Sequence, residues 1–207
     1  MDRKIKNIIF DFGGVLVDLD KPRCIDAFQK LGYPDVMAMV GKFQQYGVFA
    51  SLEDGSISSE VFCDEIRHDT VTNPSNEQII DAWNLMLGDI SKYKLDALLK
   101  LRKYYMVYLL SNTNSIHWDY ACKELFPYHG FDVNDYFEEI FLSYKVKMVK
   151  PHPEIFLSIQ NQIGIMASQT LFIDDSQANC DEARNLGFSV YCPQSDEDWR
   201  HLFPELE

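Results

Sequence analysis

One apolar stretch that ends in an acidic residue and two glycines constrains the fold of this chain more than any other. Residues 8–16 read Ile-Ile-Phe-Asp-Phe-Gly-Gly-Val-Leu, so a predicted core strand leads directly to Asp11. A carboxylate at the carboxyl end of a core strand lies where open α/β sheets bind ligands. The glycines admit turns with positive φ and let backbone approach a small anion. Asp11 is therefore a candidate to attack a phosphoryl group or to hold a cation.

Three later segments repeat this form, in which an apolar run leads to polar residues. They are Tyr108-Leu-Leu-Ser-Asn-Thr, Lys150-Pro151 before a predicted helix, and Leu171-Phe-Ile-Asp-Asp. In this order and spacing, the four segments resemble the motifs of the haloacid dehalogenase-like hydrolases, which are mostly phosphatases. The resemblance extends from residue 8 to residue 179, which is nearly the whole chain.

From residue 104 onward, predicted strands and helices alternate regularly, which favours a parallel sheet covered by helices. The fold class that follows is α/β, with a doubly wound parallel sheet. The predicted strands are 105–110, 140–143, 170–173 and 188–192, after a first strand at 5–10, and the predicted helices are 115–126, 153–163 and 177–186.

The stretch between the first strand and residue 104 follows a different pattern. Asp20 predicts a helix start and Ser75-Asn-Glu-Gln a capping box, and no strand is predicted between residues 17 and 103. The expected organisation is an α/β core of residues 1–17 and 89–207, with a small helical cap of residues 18–88 inserted after strand one. The resemblance implies the same cap for one type of family member.

Composition excludes several classes of function. The chain has 207 residues, 46% of them hydrophobic, and a net charge of −13. Nucleic acid is not an expected partner, because phosphate-backbone binding needs clustered Lys and Arg. The five cysteines form no CxxC pair and fit reduced thiols in a cytoplasmic protein. No signal peptide or membrane span is expected, because neither apolar pattern is present. Oligomeric state cannot be read from the sequence.

Asp174 and Asp175 are adjacent carboxylates at the end of a predicted strand. Side by side they repel each other and need a cation or water between them. Mg²⁺ prefers such hard oxygen ligands. The expected site is Mg²⁺ held by Asp11, the Gly13 carbonyl, Asp174 and Asp175. The alternative is a solvated Asp-Asp-Ser turn that caps the next helix.

Ser111, Asn112 and Lys150 are the candidates for phosphate binding. A hydroxyl and backbone N–H groups at a strand end can hold phosphoryl oxygens. The resemblance implies that Ser111 and Lys150 are catalytic, because the family uses a matching Ser or Thr and a Lys-Pro lysine. Lys145 and Lys147 are alternatives by residue type alone. Asn179 and Gln177 could orient waters or carboxylates, or could face solvent.

The first motif departs from the family pattern at Gly13. Most family phosphatases have a second aspartate there, which protonates the leaving oxygen and then activates water. The variant Asp-Phe-Gly-Gly-Val resembles a subgroup that includes glucose-1-phosphate phosphatases, although Gly14 replaces the subgroup's usual Asn.

The leading functional prediction is Mg²⁺-dependent hydrolysis of a small phosphate monoester, such as a sugar phosphate, through an aspartyl-phosphate on Asp11. The enzyme alternative is a dehalogenase-like hydrolase that uses Asp11 without metal. The alternative from another class is a catalytically weak protein that binds a phosphometabolite or a protein partner. A phosphate-release screen with and without Mg²⁺ would distinguish these hypotheses.

Overall fold

The computed structural model describes residues 5–41, 44–194 and 197–206. Five strands form one parallel sheet, in the order β5-β4-β1-β6-β7, and β2 and β3 form a separate antiparallel pair. The strands are β1 (Asn7–Phe10), β2 (Val17–Leu19), β3 (Leu87–Ile90), β4 (Met106–Ser111), β5 (Glu139–Leu142), β6 (Thr170–Ile173) and β7 (Ser189–Tyr191). The five-stranded sheet confirms the predicted doubly wound α/β fold.

The helices fall into two groups along the chain. Those of the first group are α1 (Lys21–Lys30), α2 (Val36–Met39), α3 (Gly47–Glu53), α4 (Ser59–His68) and α5 (Asn76–Asn84). Those of the second are α6 (Lys92–Leu101), α7 (Ser115–Tyr120), α8 (Val133–Tyr136), α9 (Ser143–Val146), α10 (Pro153–Ile163) and α11 (Gln177–Asn185). No described helix combines the length and apolarity that a membrane crossing requires.

Alternate residues of the central strands pack into two separate cores. In β1, Ile8 and Phe10 belong to one hydrophobic cluster, whereas Ile9 belongs to another on the opposite face. Successive side chains of a strand point to opposite faces, so both faces of this sheet are buried. This burial explains why the central strands read as continuous apolar runs rather than as an alternating pattern.

The register of the central strands brings the predicted site residues to one edge of the sheet. Phe10 is paired with Leu109 of β4 on one side and with Ile173 of β6 on the other. The next residues of β1 and β6, Asp11 and Asp174, therefore emerge side by side at the carboxyl edge.

The first group of helices has a hydrophobic core of its own. Its buried aromatic residues include Phe28, Phe49, Phe62 and Trp83, whose rings contact one another edge-on or tilted. The predicted cap at Ser75 is confirmed: its side chain accepts from Gln78 N–H, and the Gln78 side chain accepts from Ser75 N–H.

The prediction of no strand between residues 17 and 103 was wrong, because β2 and β3 lie within it. They pair through Val17 with Ile90 and Leu19 with Leu87, with an irregular register between the pairs. Strands of three and four residues are too short to show a period of two.

The helix predicted at residues 115–126 is also interrupted. It is α-helical only to Tyr120, and residues Ala121–Leu125 form a π-helical turn. Parts of the expected core and cap, namely residues 1–4, 42–43, 195–196 and 207, lie outside the described residues.

Candidate active site

The carboxyl edge of the sheet opens into a cavity of about 90 Å³. This volume is enough for a small molecule, since a single water needs roughly 10–15 Å³ on such a measure. From the sheet and its loops, the cavity is lined by Asp11, Phe12, Gly13, Ser111, Asn112, Thr113, His117, Lys150, Asp175, Ser176 and Asn179. From residues 19–87, it is lined by Leu19, Lys21, Gln45, Glu53, Trp83, Met86 and Leu87.

Lys150 bridges two of the carboxylates. Its Nζ lies 2.8 Å from Asp11 Oδ1 and 2.6 Å from Asp174 Oδ2, and it also donates to the Leu110 carbonyl at 2.9 Å. Burial alone would lower the pKa of this lysine, but Asp11 and Asp174 raise it above its ordinary value. Lys150 is therefore a fixed positive charge beneath the cavity.

Asn112 holds Lys150 in place through the backbone. Its Oδ1 accepts from Lys150 N–H and its Nδ2 donates to the Lys150 carbonyl, both at 2.9 Å. The side-chain amide of Asn112 thus has partners already, and any phosphate contact would fall to its backbone. Phosphate binding by Asn112 stays a prediction. Ser111 is buried at the end of β4 and lines the cavity.

Asp11 has one carboxylate oxygen held and the other available. Oδ1 accepts from Phe12 N–H at 2.7 Å and from Lys150, whereas no such bond to Oδ2 is found among the described residues. Burial raises the pKa of Asp11 to about 8; the Lys150 ammonium lowers it, and the charges of Asp174 and Asp175 raise it. A cation near these three carboxylates would favour the ionised form.

Asp174 and Asp175 have different surroundings. Asp174 is fully buried and accepts from Lys150, from Asn179 Nδ2 at 3.0 Å and from Ser176 N–H at 2.8 Å. Asp175 lines the cavity, and burial followed by the charge of Asp174 raises its pKa to about 6. Of the two, Asp175 is the more open to a ligand.

The donor set fits a hard divalent cation. Asp11, Asp174 and Asp175 each offer an oxygen, and these oxygens all lie within 4.8 Å of one another. Mg²⁺ prefers oxygen ligands, and carboxylates are among the commonest of them. The Gly13 carbonyl is on the same loop, but its role as a ligand stays a prediction.

Gly14 explains the second departure in the first motif. Its φ is +74°, and a Cβ at this position would overlap the carboxylate of Asp175. A side chain such as Asn would therefore displace an acidic group of the site. At Gly13 the constraint is weaker, since a Cβ would meet only the side chain of Leu19 at 3.3 Å.

Other predicted residues take different places. Asn179 donates to Asp174, as one of the alternatives proposed, whereas Gln177 donates to Asp181 on the exposed face of α11. Lys147 donates to the Gly55 carbonyl and does not line the cavity. Lys145 is likewise not a lining residue.

The sequence reasoning missed the lining residues that come from the first group of helices. Chief among them is Glu53, the last residue of α3, whose pKa is raised to about 7 by burial. In the sequence, Leu-Glu-Asp-Gly reads as an ordinary solvated turn. Its position at the cavity depends on tertiary packing, which no local pattern reports.

Comparison with known proteins agrees with this geometry. The family model for haloacid dehalogenase-like hydrolases matches residues 5–187. The chain is 39% identical over 196 residues to D-ribitol-5-phosphate phosphatase of Bacteroides thetaiotaomicron, covering 95% of each chain. A solved structure of the HAD family enzyme bt-2542 from that organism, in complex with magnesium and inorganic phosphate, superimposes with a TM-score of 0.91. It is 51% identical, and the match covers 96% of this chain and 99% of that one.

A more distant structure marks the limit of the likeness. L-2-haloacid dehalogenase from Xanthobacter autotrophicus is 16% identical, with a TM-score of 0.55 over 90% of this chain and 76% of that one. It shares the fold alone. Taken together, the family-model match over most of the chain and the close relatives establish that this protein belongs to the haloacid dehalogenase-like hydrolases.

Proposed function

We propose that this protein is a Mg²⁺-dependent phosphatase that hydrolyses the phosphate monoester of a small polyol or sugar through an aspartyl-phosphate on Asp11. The observation that supports this most is the arrangement around Asp11. One of its oxygens is fixed by Lys150 and Phe12, and two further carboxylates offer oxygens within 4.8 Å. The similarity of the chain to a D-ribitol-5-phosphate phosphatase supports the substrate class.

In the first step, Asp11 Oδ2 attacks phosphorus, forming an O–P bond while the bond to the substrate oxygen breaks. Bound among the three carboxylates, Mg²⁺ would neutralise charge on the phosphoryl oxygens. Lys150 orients Asp11 and adds positive charge beside the transferring group. Ser111, which lines the cavity, would donate to a phosphoryl oxygen. In the second step water attacks the same phosphorus, which releases inorganic phosphate and restores the Asp11 carboxylate.

Two unpartnered polar atoms at the cavity support a hydroxylated substrate. Among the described residues, Gln45 Oε1 and Trp83 Nε1 are buried without a hydrogen-bond partner. Buried polar groups are normally bonded, so such atoms point to a ligand group or water. A polyol chain offers both a donor for Gln45 and an acceptor for Trp83.

We also propose that residues 18–88 act as a helical cap that closes over the phosphate site. Their helices have a separate hydrophobic core and supply one wall of the cavity. A cap that excludes water would strengthen the electrostatic contacts of the reaction.

The five free thiols fit a reducing compartment, so we propose a cytoplasmic location.

A phosphate-release assay tests the function. With D-ribitol 5-phosphate and Mg²⁺, the wild-type protein should release phosphate, and excess chelator should abolish release. Asp11→Asn should fold and bind phosphate but lose turnover, because an amide cannot form the acyl phosphate. Halide release from a 2-haloacid at a rate above that of phosphate release would favour the dehalogenase alternative and overturn the proposal.

A further inference from the structure

We propose that Glu53 is the general acid and base that the first motif lacks. This inference rests on the proposed phosphatase function. Glu53 would protonate the leaving oxygen in the first step and then activate water in the second. Gly13 stands where most family phosphatases have an aspartate for both tasks. The carboxyl group would therefore come from the opposite wall of the same cavity, from the end of α3.

The other titratable groups at the cavity have different tasks. Asp11 is the nucleophile and Asp175 belongs to its carboxylate cluster. Lys150 is held by two carboxylates and a carbonyl. His117 Nε2 donates to the Trp83 carbonyl at 2.9 Å and its Nδ1 accepts from Asn114 at 3.3 Å, so both ring nitrogens are used.

Glu53 is the remaining acid that lines the cavity. Among the described residues, its carboxylate makes no ion pair within 4 Å and no hydrogen bond, so it is available to a ligand. The Glu53 backbone carbonyl, by contrast, accepts a hydrogen bond from the Ser143 hydroxyl.

That hydrogen bond to the backbone fixes the end of α3 to the carboxyl edge of the sheet. The Ser143 hydroxyl, at the end of β5, donates to the Glu53 carbonyl at 2.6 Å and accepts from Thr113 N–H at 2.9 Å. Thr113 is two residues beyond Ser111. One buried hydroxyl therefore ties Glu53 to the loop that is expected to hold phosphate.

The turn after Glu53 is held to the same place. Gly55 has a φ of +72°, and a Cβ there would overlap the Tyr144 carbonyl. Its own carbonyl accepts from Lys147 Nζ. The close approach of this turn to α9 requires glycine and limits how far the Glu53 backbone can move away from the cavity.

Burial also suits Glu53 to both directions of proton transfer. It raises the pKa to about 7, whereas the Lys150 charge lowers it, Asp54 raises it and Lys21 lowers it. A group with a pKa near the working pH can donate a proton and take one back. The other charged or titratable residues that face this cavity are Asp11, His117 and Asp175.

Over the two steps, Glu53 gives up one proton and regains one. As Asp11 attacks, the bond between phosphorus and the substrate oxygen breaks, and the Glu53 proton moves to that oxygen, which leaves as an alcohol. Glu53, now ionised, takes a proton from the attacking water as the water oxygen bonds to phosphorus. Asp11 is released as a carboxylate and Glu53 regains its proton.

The competing explanation is that Glu53 only binds a substrate hydroxyl. Glu53→Gln separates the two roles, because an amide can still bind a hydroxyl but cannot transfer the proton. Its matched control is Asp54→Asn, the next acid along the chain, which does not line the cavity. Both variants are compared with wild type on p-nitrophenyl phosphate and on D-ribitol 5-phosphate by rapid-quench kinetics.

A good leaving group needs no acid in the first step, so Glu53→Gln should give a burst of p-nitrophenolate equal to the enzyme concentration. Steady-state turnover should then fall by about 10²–10⁴-fold as phosphoenzyme accumulates, the usual contribution of general acid–base catalysis. With D-ribitol 5-phosphate even the burst should be lost. The limb of the wild-type pH profile that titrates near pH 7 should disappear. Asp54→Asn should keep the burst and the wild-type turnover, and its limb should remain but move to lower pH, because the Asp54 charge that raises the Glu53 pKa is gone.

Two results would overturn the assignment. If Glu53→Gln keeps the wild-type turnover of p-nitrophenyl phosphate and only raises KM for D-ribitol 5-phosphate, Glu53 is a binding residue. If Glu53→Ala, tested in parallel, regains no turnover with added formate as a replacement acid, the proton-transfer role is also refuted. Failure of the wild-type protein to release phosphate from either ester would instead refute the proposed function itself, and this inference with it.

Discussion

At the scale of single residues, the site depends on which atoms are already bonded. Asp11 Oδ1 and both oxygens of Asp174 accept from protein donors. No donor to Asp11 Oδ2 is found among the described residues, and both Asp11 and Asp175 line the cavity. The arrangement divides the carboxylate oxygens into those that the protein holds and those that are open to a ligand. An unpaired buried charge is costly, so the fixed ammonium of Lys150 is needed to stabilise this concentration of acid.

Gly14 gives a prediction at this scale. Gly14→Ala should lose about 1–2 kcal/mol of stability, because a non-glycine residue is strained at a φ of +74°. It should also raise the Mg²⁺ concentration needed for half-maximal activity by at least about tenfold, because the new Cβ displaces the Asp175 carboxylate.

Gly164→Ala is the matched control for that prediction. Gly164 has a φ of +69°, but nothing lies within 4 Å of the position of its Cβ. The two variants should lose similar stability in urea unfolding, and only Gly14→Ala should need more Mg²⁺. An equal Mg²⁺ requirement in both would show that the Asp175 contact is unimportant.

Some residues of the candidate site could be predicted from the sequence, and others could not. Asp11 and Asp174 follow strands that are apolar enough to recognise, and Ser111 ends another such strand. Parallel strands end at one edge of the sheet, so these residues could be expected to lie together. Glu53 is the last residue of the short helix α3, and the Ser143 bond and the packing of α3 bring it to the cavity. Contacts between residues 90 positions apart leave no local pattern, so this member of the site could not be predicted.

At the scale of elements, the predicted order of strands and helices is correct after residue 104, and the errors are at short or interrupted elements. β2 and β3 have too few residues for a visible alternation. The break at Tyr120 occurs within a continuous helical pattern, and a π-turn adds only one residue to the spacing. The core and cap boundaries stay a prediction.

The contact between α5 and α7 gives a prediction about acid stability. His117 of α7 stacks on Trp83 of α5 with ring centroids 4.4 Å apart, and burial lowers its pKa to about 4. An unfolded histidine titrates near 6.5. Between pH 6.5 and 4 the unfolded chain binds the additional proton, so stability falls as pH falls, by about 3 kcal/mol from this residue.

His117→Gln should remove that contribution. Glutamine can still donate to the Trp83 carbonyl but does not titrate, so the variant should be less stable than wild type at pH 7, through lost stacking, yet lose less stability on acidification. Urea unfolding at pH 7, 5.5 and 4 measures both effects, with exposed His152→Gln as control. Parallel pH curves for wild type and His117→Gln would contradict the prediction.

At the scale of the whole molecule, the net negative charge means that cation binding should stabilise the folded state. The net charge is −13, and three carboxylates converge within 4.8 Å at the carboxyl edge of the sheet. Their repulsion opposes folding in the absence of a cation. Binding to the folded state alone would stabilise it by about 2.7 kcal/mol at a cation concentration of one hundred times Kd.

The pH dependence of that stabilisation tests the site without any substrate. In the cation-free protein, the pKa values of Asp11 and Asp175 are raised to about 8 and about 6, chiefly by burial. The folded state therefore holds protons there that the unfolded chain has lost, so these groups make the cation-free protein less stable as pH rises from about 4 to 8. Mg²⁺ must displace the same protons, so its affinity should rise over the pH range in which they leave.

Saturating Mg²⁺ should consequently raise Tm by roughly 5–10 °C at pH 8 and by much less at pH 5.5, since for a domain of this size 1 kcal/mol corresponds to about 2–4 °C. Asp175→Asn should be as stable as wild type or more so without Mg²⁺, because one repelling charge is gone, and should show little Mg²⁺ response at either pH. Differential scanning calorimetry with Mg²⁺ or chelator gives the values. A shift independent of pH, or retained in full by Asp175→Asn, would mean that the cation acts elsewhere on the acidic surface, since exposed carboxylates of ordinary pKa are already ionised at pH 5.5.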